Sequence, residues 1–393
     1  MKAVERFGTP LYFTDASVIR ERVAYMHEAF AEYDFKVFYS IKANINPSIV
    51  KVIHKAGVYG IDAVSPFEVR AAIDAGFAPE RVIFTPSNPS DEEMRYVGKL
   101  GALQNLGSVS EVDRFGTLFP KGEVSIRISP EVGAGEFAGI RTGQLETKFG
   151  ITLEQIPEIK KIAKKHGLTI VGVHSHIGSG FYTTTQFKKS VEAVCNVARS
   201  FPDVRFLDFG GGFGVRYKPG EESIDLAAFA RAVRKPLAAF EKDMGRKIEI
   251  RIEPGKFLVS HSTVLLARVT TVKQKKHTTF VGLDVGFNTL IRPAMYGAYH
   301  HVVNMSRSKG AKKHVQVVGN VCETCDVFNK GIELVDPREG DILAILTAGG
   351  HASAMSSNYN GRPFIAEAII DGSKMTLTRK RQTYEEMMEG FVK

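Results

Sequence analysis

The sequence predicts an α/β chain built as a TIM-like (β/α)8 barrel followed by a second, all-β domain of the sandwich or Greek-key kind. Three observations predict it. From residue 35 onward, short apolar runs alternate with stretches of helical spacing, which marks successive parallel βα units. Eight runs read as strands by residue 255, and eight units in about 250 residues is the size of a closed barrel. After residue 260 the strand-like runs continue with no long helices between them. An open, doubly wound sheet also explains the alternation, because closure leaves no trace in a linear pattern.

In chain order, "PLYFTD" at 10–15 is a strand that precedes the barrel and is expected to join the second domain. The barrel strands are "FKVFYSIK", "VYGIDAV", "RVIFTP", "ALQNL", "EVSIRI", "TIVGVHSHI", "VRFLDFGG" and "KIEIRIEPG". Between them, "SPFEVRAAIDAG" is a helix with Ser65 as its cap, Pro66 in its first turn and Gly76 at its end. "QFKKSVEAVCNVARSF" is another, with Phe187, Val191, Val194 and Val197 on one face. The later strands are "STVLLARVTTV", "TTFVGLDVG", "HVQVVGNV", "DILAILTAGG" and "RPFIAEAII". The expected boundaries are 20–260 for the barrel, and 1–19 with 261–393 for the β-rich domain.

Composition narrows the class. No apolar run reaches the roughly 18 residues of a membrane span, and "MKAVERFGTP" lacks the apolar core of a signal peptide. Cys195, Cys322 and Cys325 are too few for a disulfide framework and fit a reducing compartment, so a cytoplasmic location is expected. The formal charge of +9 is scattered, apart from short clusters such as "KQKK", and no basic stripe is interleaved with aromatics. A generally positive surface favours anionic metabolites as much as nucleic acid, and the missing stripe argues against a nucleic acid partner, as the missing apolar run argues against a membrane.

Barrel chemistry sits at the C-terminal ends of strands. There stand Lys42, Asp62 in the second strand, "HSHIGS", "FGGGFG" and "EPGK". Most strand-end lysines are merely solvated, so Lys42 gains meaning only from its company. Strand alternation puts His174 and His176 on one side, which also fits metal ligation, although no third ligand stands near them in sequence. Gly210 to Gly212 offer backbone that a bulky group can approach closely, with N–H groups free to cradle a phosphate; a tight turn is the plainer reading. An amine, an imidazole, an anion cradle and the buried acid Glu253 are together what pyridoxal phosphate requires.

At this point the chain resembles the fold-type III pyridoxal phosphate-dependent decarboxylases, and among them the diaminopimelate decarboxylases. The resemblance runs from about residue 8 to about 385, through "YSIKAN", "GIDAVS", "RTGQLETKFGI", "HSHIGSG", "LDFGGGFGV", "EPGKFLVS", "LIRPAMYGAYH", "VCETCD" and "SNYNGRP". It implies that Lys42 is the Schiff-base lysine, that His176 stacks on the cofactor ring, and that Glu253 pairs with the pyridine nitrogen. Asp62, Ser179, Gly211, Gly212, Pro254, Gly255, Lys256 and His351 complete the implied cofactor site. Cys322 is the implied proton donor, delivered across the interface of a homodimer by the β-rich domain.

The same resemblance assigns the substrate by charge. Arg292 and Tyr296 match a carboxylate-binding pair, and Glu323 matches the residue that takes an ammonium, with Lys256 and His351 alongside. The implied reaction is decarboxylation of meso-2,6-diaminopimelate to L-lysine and CO2. The alternatives are another diamino acid, such as carboxynorspermidine, ornithine or a siderophore precursor, an amino-acid racemase, or a non-catalytic protein that carries the cofactor. Three departures stand out. Lys256 replaces an arginine common in the family, which keeps the charge and loses the bidentate fork. His351 replaces a tyrosine, and "FTPSNPSDEE" lacks a lysine that many relatives carry. "CETC" also fits a redox or zinc pair, but it has no partner ligands, and Cys325 has no assigned role.

Overall fold

Strand β1, Leu11–Asp15, leads into a helix, Ala16–Ala29, and then into the eight expected staves. A computed structural model describes residues 1–33, 35–132, 142–143, 147–222 and 224–392. The staves are β2 Phe35–Ser40, β3 Gly60–Ala63, β4 Val82–Phe84, β5 Leu103–Leu106, β6 Glu123–Ile128, β7 Thr169–Ser175, β8 Phe206–Asp208 and β9 Glu249–Ile252. Each pairs in parallel with the next, and β2 pairs with β9 to shut the ring. The doubly wound alternative is therefore excluded. Arg141 and residues 144–146 of "RTGQLETKFGI" lie outside the described residues.

The barrel strands read as nearly continuous apolar runs because helices cover their outer face and side chains fill their inner one. Phe38, Ile83, Val171 and Phe206 form a packed plug inside the ring. The Arg251 guanidinium lies 3.5 Å from the Phe206 ring centroid and 4.6 Å from that of Phe38. Gly172 is bare for a reason: a Cβ there would meet Phe206 at 2.1 Å. The plug closes the barrel interior from this end, and the chemistry-bearing side chains gather at the opposite mouth.

The two helices read from sequence form as expected. Pro66–Asp74 starts at Ser65, whose side chain accepts from Glu68 N, and Gly76 turns the chain away at φ +112°. Thr184–Ala198 buries Phe187, Val191, Val194 and Val197 against the barrel. Each such side chain contributes roughly 1.5–3 kcal/mol.

Beyond the barrel come β10 Thr263–Lys275, β11 Thr278–Leu283, β12 Val302–Asn304, β13 Lys312–Val318, β14 Val327–Val335, β15 Ile342–Ile345, β16 Ala366–Asp371 and β17 Lys374–Arg379. Together with β1 they make a mostly antiparallel sheet. The first half of β10 pairs with β1 and β15, and the second half pairs with β11 after a register shift between Val269 and Thr271. That break lets the two halves fold over one core, which holds Tyr12, Leu265, Val281, Val315, Phe328 and Leu343. As expected, β1 belongs here, antiparallel to β10 and parallel to β16. Strands β12, β14 and β17 were not foreseen. The first is only three residues long, "FNKGIE" carries turn residues through the middle of β14, and "KMTLTR" is a largely polar edge. Among the described residues no helix is long and apolar enough to cross a membrane.

Candidate active site

Lys42 was expected at the end of the first barrel strand, but β2 stops at Ser40 and Lys42 sits in the single turn Ile41–Ala43. Asn44 N–H returns to the Ile41 carbonyl at 3.0 Å, and the Tyr39 hydroxyl donates to the Asn44 carbonyl at 2.9 Å. These bonds curl the chain across the barrel mouth. Lys42 Nζ donates to Asp62 Oδ2 at 2.8 Å, and Ser40 Oγ donates to the same oxygen at 2.7 Å. Burial works to lower the Lys42 pKa, but the charges of Asp62 and Glu253 outweigh it and leave the amine raised. Burial likewise works to raise Asp62, and the Lys42 ammonium holds it below the ordinary carboxylate value. The pair is therefore ionised, with Asp62 fully enclosed and the Lys42 side chain 38% exposed toward the opening.

Glu253 follows β9 directly, with its N–H on the Gly210 carbonyl at 2.9 Å and its Oε2 3.1 Å from His174 Nε2. Burial, reinforced by the Asp62 charge, pushes Glu253 up to about 8. Burial lowers His174 to about 4 and takes His176 well below its ordinary value, helped by the Arg127 and Lys42 charges on the latter. Both imidazoles are neutral at physiological pH. The expected shared side holds only in part: His174 lies in β7 and reaches Glu253, whereas His176 follows the strand and packs at Gly210, where a Cβ would meet its Nδ1 at 2.7 Å.

The glycine run is shaped by close approach. A Cβ on Gly211 would lie 1.9 Å from the Glu253 carbonyl oxygen, and one on Gly212, at φ +102°, would lie as close to the Gly178 carbonyl oxygen. Gly180 N–H donates to the Gly212 carbonyl at 2.8 Å, so Ser179 is carried on a loop laid against the run. From the other side Gly255 packs on Ser40 and Ala43, and the Pro254 carbonyl accepts Ser40 N–H at 3.3 Å. Lys256 is 6% exposed, so it is a buried cation of the site and not a solvated loop residue.

The β-rich part reaches this mouth through residues 347–352. His351 N–H donates to the Ala43 carbonyl at 2.8 Å, and Asn44 Nδ2 donates to the Gly349 carbonyl at 3.0 Å. Burial lowers His351 to about 3, assisted by the nearby charges of Lys256, Arg292 and Lys42. Three cations thus converge on one neutral imidazole. Arg292 is itself 2% exposed, lies over the Tyr217 ring at 4.8 Å, and keeps a buried Nε with no hydrogen-bond partner. Tyr296 ends the same short helix, half-buried.

Cys322, Glu323 and Cys325 occupy a different place. Both thiols are exposed. Asp326 braces their loop by accepting from Val321 N and Phe287 N, each at 2.7 Å. Cys322 N–H donates to Asn360 Oδ1 at 2.7 Å, and the Tyr359 hydroxyl donates to Glu323. These bonds all lie within the β-rich part of the chain.

Three residues of the mouth were not singled out from sequence. Ser40 braces Asp62, Asp208 is fully buried beside Glu253 and His174, and Arg127 lends them its charge while stacked on Phe149 at 4.6 Å. A signal existed for two of them, since an arginine or an aspartate inside an apolar barrel strand is costly without a purpose.

The cluster fits pyridoxal phosphate. Glu253 Oε1, Asp62 Oδ1 and His176 Nδ1 are buried and unpartnered, and the glycine run is a cradle that a Cβ would fill. The family described as "Pyridoxal-dependent decarboxylase, pyridoxal binding domain" matches residues 16–260. The diaminopimelate decarboxylase of Methanothermobacter thermautotrophicus is 38% identical, over 99% of this chain and 93% of its own. The crystal structure of diaminopimelate decarboxylase from Helicobacter pylori complexed with L-lysine superposes with a TM-score of 0.92 at 32% identity, covering 98% of both chains. The crystal structure of diaminopimelate decarboxylase from M. jannaschii in co-complex with L-lysine gives a TM-score of 0.93 at 29% identity, covering 100% of this chain and 94% of the other.

Proposed function

Because the chain belongs to the pyridoxal-dependent decarboxylase family, we infer that it is a carboxy-lyase which converts meso-2,6-diaminopimelate to L-lysine and CO2. The observation that carries the reading is the ionised Lys42–Asp62 pair at the mouth of a closed barrel, with the buried acid Glu253 and a glycine cradle around it. Pyridoxal phosphate, when bound, supplies the electron sink for the pair left behind as the α-carboxylate departs.

The chain's own residues do the rest. Asp62 and Ser40 hold the Lys42 side chain at the opening. The backbone of Gly211, Gly212 and 254–256, with Ser179, would take the phosphate; His176 would lie against the ring and Glu253 would meet its nitrogen. Arg292, oriented by Tyr217 and carrying an unpartnered N–H, would take the distal carboxylate, with Lys256 and His351 beside it and Tyr296 one turn on. A simple diamine precursor has no carboxylate to offer there, which favours a substrate bearing both signs at its far end.

Cys322 and Glu323 are exposed, and we assign them to the site of a second copy in a homodimer. The Cys322 thiol of the partner subunit would deliver its proton to Cα, and Glu323 of the partner subunit would take the distal ammonium. The expected location is cytoplasmic. The test is an assay across diamino acids that measures CO2 and the amine product together. Equal amounts of CO2 and L-lysine from meso-diaminopimelate, faster than from any other substrate, are expected; faster turnover of ornithine or carboxynorspermidine would overturn the assignment.

A further inference from the structure

Strands β8 and β9 end side by side on two carboxyl groups. Asp208 is 0% exposed and Glu253 is 3% exposed. With a ring nitrogen of His174, they place three ligand atoms within 4.8 Å of one another. One oxygen of each acid is satisfied: Asp208 Oδ1 accepts from Gly210 N at 2.9 Å, and Glu253 Oε2 meets His174 Nε2 at 3.1 Å. The other oxygens, Asp208 Oδ2 and Glu253 Oε1, are both buried with no partner.

The charges facing this pair do not neutralise it. The Lys42 ammonium is bonded to Asp62, which is itself a third carboxylate facing Glu253. Arg127 is stacked on Phe149, Arg251 is stacked on Phe206 and bonded to Glu249, and the neutral His174 brings no charge. Each ion enclosed in such a place costs several kcal/mol, and two adjacent carboxylates add their mutual repulsion. A single proton between the two unpartnered oxygens removes one charge and satisfies both atoms.

We propose that Asp208 and Glu253 hold one proton between them, with Asp208 as the O–H donor, so that Asp208 is a positioning residue that keeps Glu253 anionic toward the cofactor's ring nitrogen. The role rests on the assignment of Glu253 to that nitrogen; the shared proton does not. Burial and the Glu253 charge push Asp208 up to about 8, so it keeps a proton at neutral pH, while the Lys42 and Arg127 charges act to lower Glu253. In the tautomer that carries its proton on Nε2, His174 is the second donor to Glu253, at 3.1 Å, and likewise favours the anion.

Infrared difference spectroscopy on the cofactor-free protein at pH 7 tests the proton directly. Wild type minus Asp208→Asn should show a protonated-carboxyl stretch that shifts in D2O. Its absence would overturn the shared proton, whatever Glu253 does toward the cofactor. A second measurement tests the positioning role in the holoenzyme. Asp208→Leu, which removes the donor, should lower kcat at least about tenfold with KM little changed, the worth of one hydrogen bond to a charged group. Asp208→Asn, which restores an N–H donor, should recover most of that loss. Equal kcat in the two variants would overturn the role. If instead Glu253→Gln left kcat untouched while the infrared band persisted, the cofactor assignment of Glu253 would fail and the proton pair would stand.

Discussion

The barrel mouth and the cysteine loop carry the same kind of chemistry in opposite states. At the mouth, Lys42, Asp62, Ser40, Glu253 and His174 are locked together by hydrogen bonds of 2.7–3.1 Å in largely buried surroundings. On the loop, Cys322 and Cys325 are exposed, and the loop is held by its own backbone, Asp326, Asn360, Tyr359 and Arg362. One region has the form of a receptor. The other holds its groups out to solvent and, on our proposal, is a presenter to a second copy of the chain. The difference teaches that electrostatic preorganisation resides in the barrel and that, under this proposal, proton delivery depends on assembly.

The sharpest way to break this comparison is to remove the amine. Lys42→Ala should cut turnover by at least about a thousandfold, because it removes the amine assigned to attach the cofactor. Borohydride should fix pyridoxal phosphate to Lys42 in the unaltered protein, and a label mapped to another lysine would refute that role. Glu253→Gln comes next, with kcat expected to fall on the order of a hundredfold while the cofactor is retained, since an amide supplies no charge to the ring nitrogen.

A smaller effect separates the substrate end from the chemical end. Arg292→Ala should lower kcat/KM for meso-diaminopimelate by about 10- to 100-fold, the worth of a charge-assisted contact, and should barely change slow turnover of ornithine. Comparable losses on both substrates would assign Arg292 to the fold instead.

The smallest expected effect is thermal. Asp208 is pushed up to about 8 in the fold against about 4 when exposed, so it favours folding below pH 4 and loses that contribution progressively as pH rises from 4 through 8. Glu253 shares the pair, Lys42, Asp62, Arg127, Arg251 and His174 face it, and all are present in wild type and variant alike. The Tm of the cofactor-free protein should therefore fall more steeply between about pH 5 and 8 in wild type than in Asp208→Asn, by roughly 2 °C.

Much of this was legible in the chain. All eight barrel strands announced themselves, because parallel strands buried on both faces must be short, apolar and separated by helices. The β-rich part was read less completely: β14 hides its pattern behind Asn329, Lys330 and Gly331, which a sheet edge tolerates and a propensity rule does not. At the site, Lys42, Glu253 and the glycine run were visible as strand-end chemistry. Ser40, Asp208 and Arg127 were not, since their purpose lies in contacts such as the 2.7 Å bond from Ser40 to Asp62, which joins residues 22 positions apart. Spacing along a strand says which face a side chain takes, not which neighbour it meets.

The central claim is that the receptor and the presenter belong to different chains of a dimer, and subunit mixing tests it most directly. Lys42→Ala and Cys322→Ala proteins should each be nearly inactive alone. A mixed dimer would hold one site with both lesions and one with neither, because the same pair of surfaces meets twice across a two-fold axis. Heterodimers isolated through two different tags should therefore recover about half the activity of wild type. Heterodimers as inactive as their parents would contradict the account and return Cys322 to the site of its own chain.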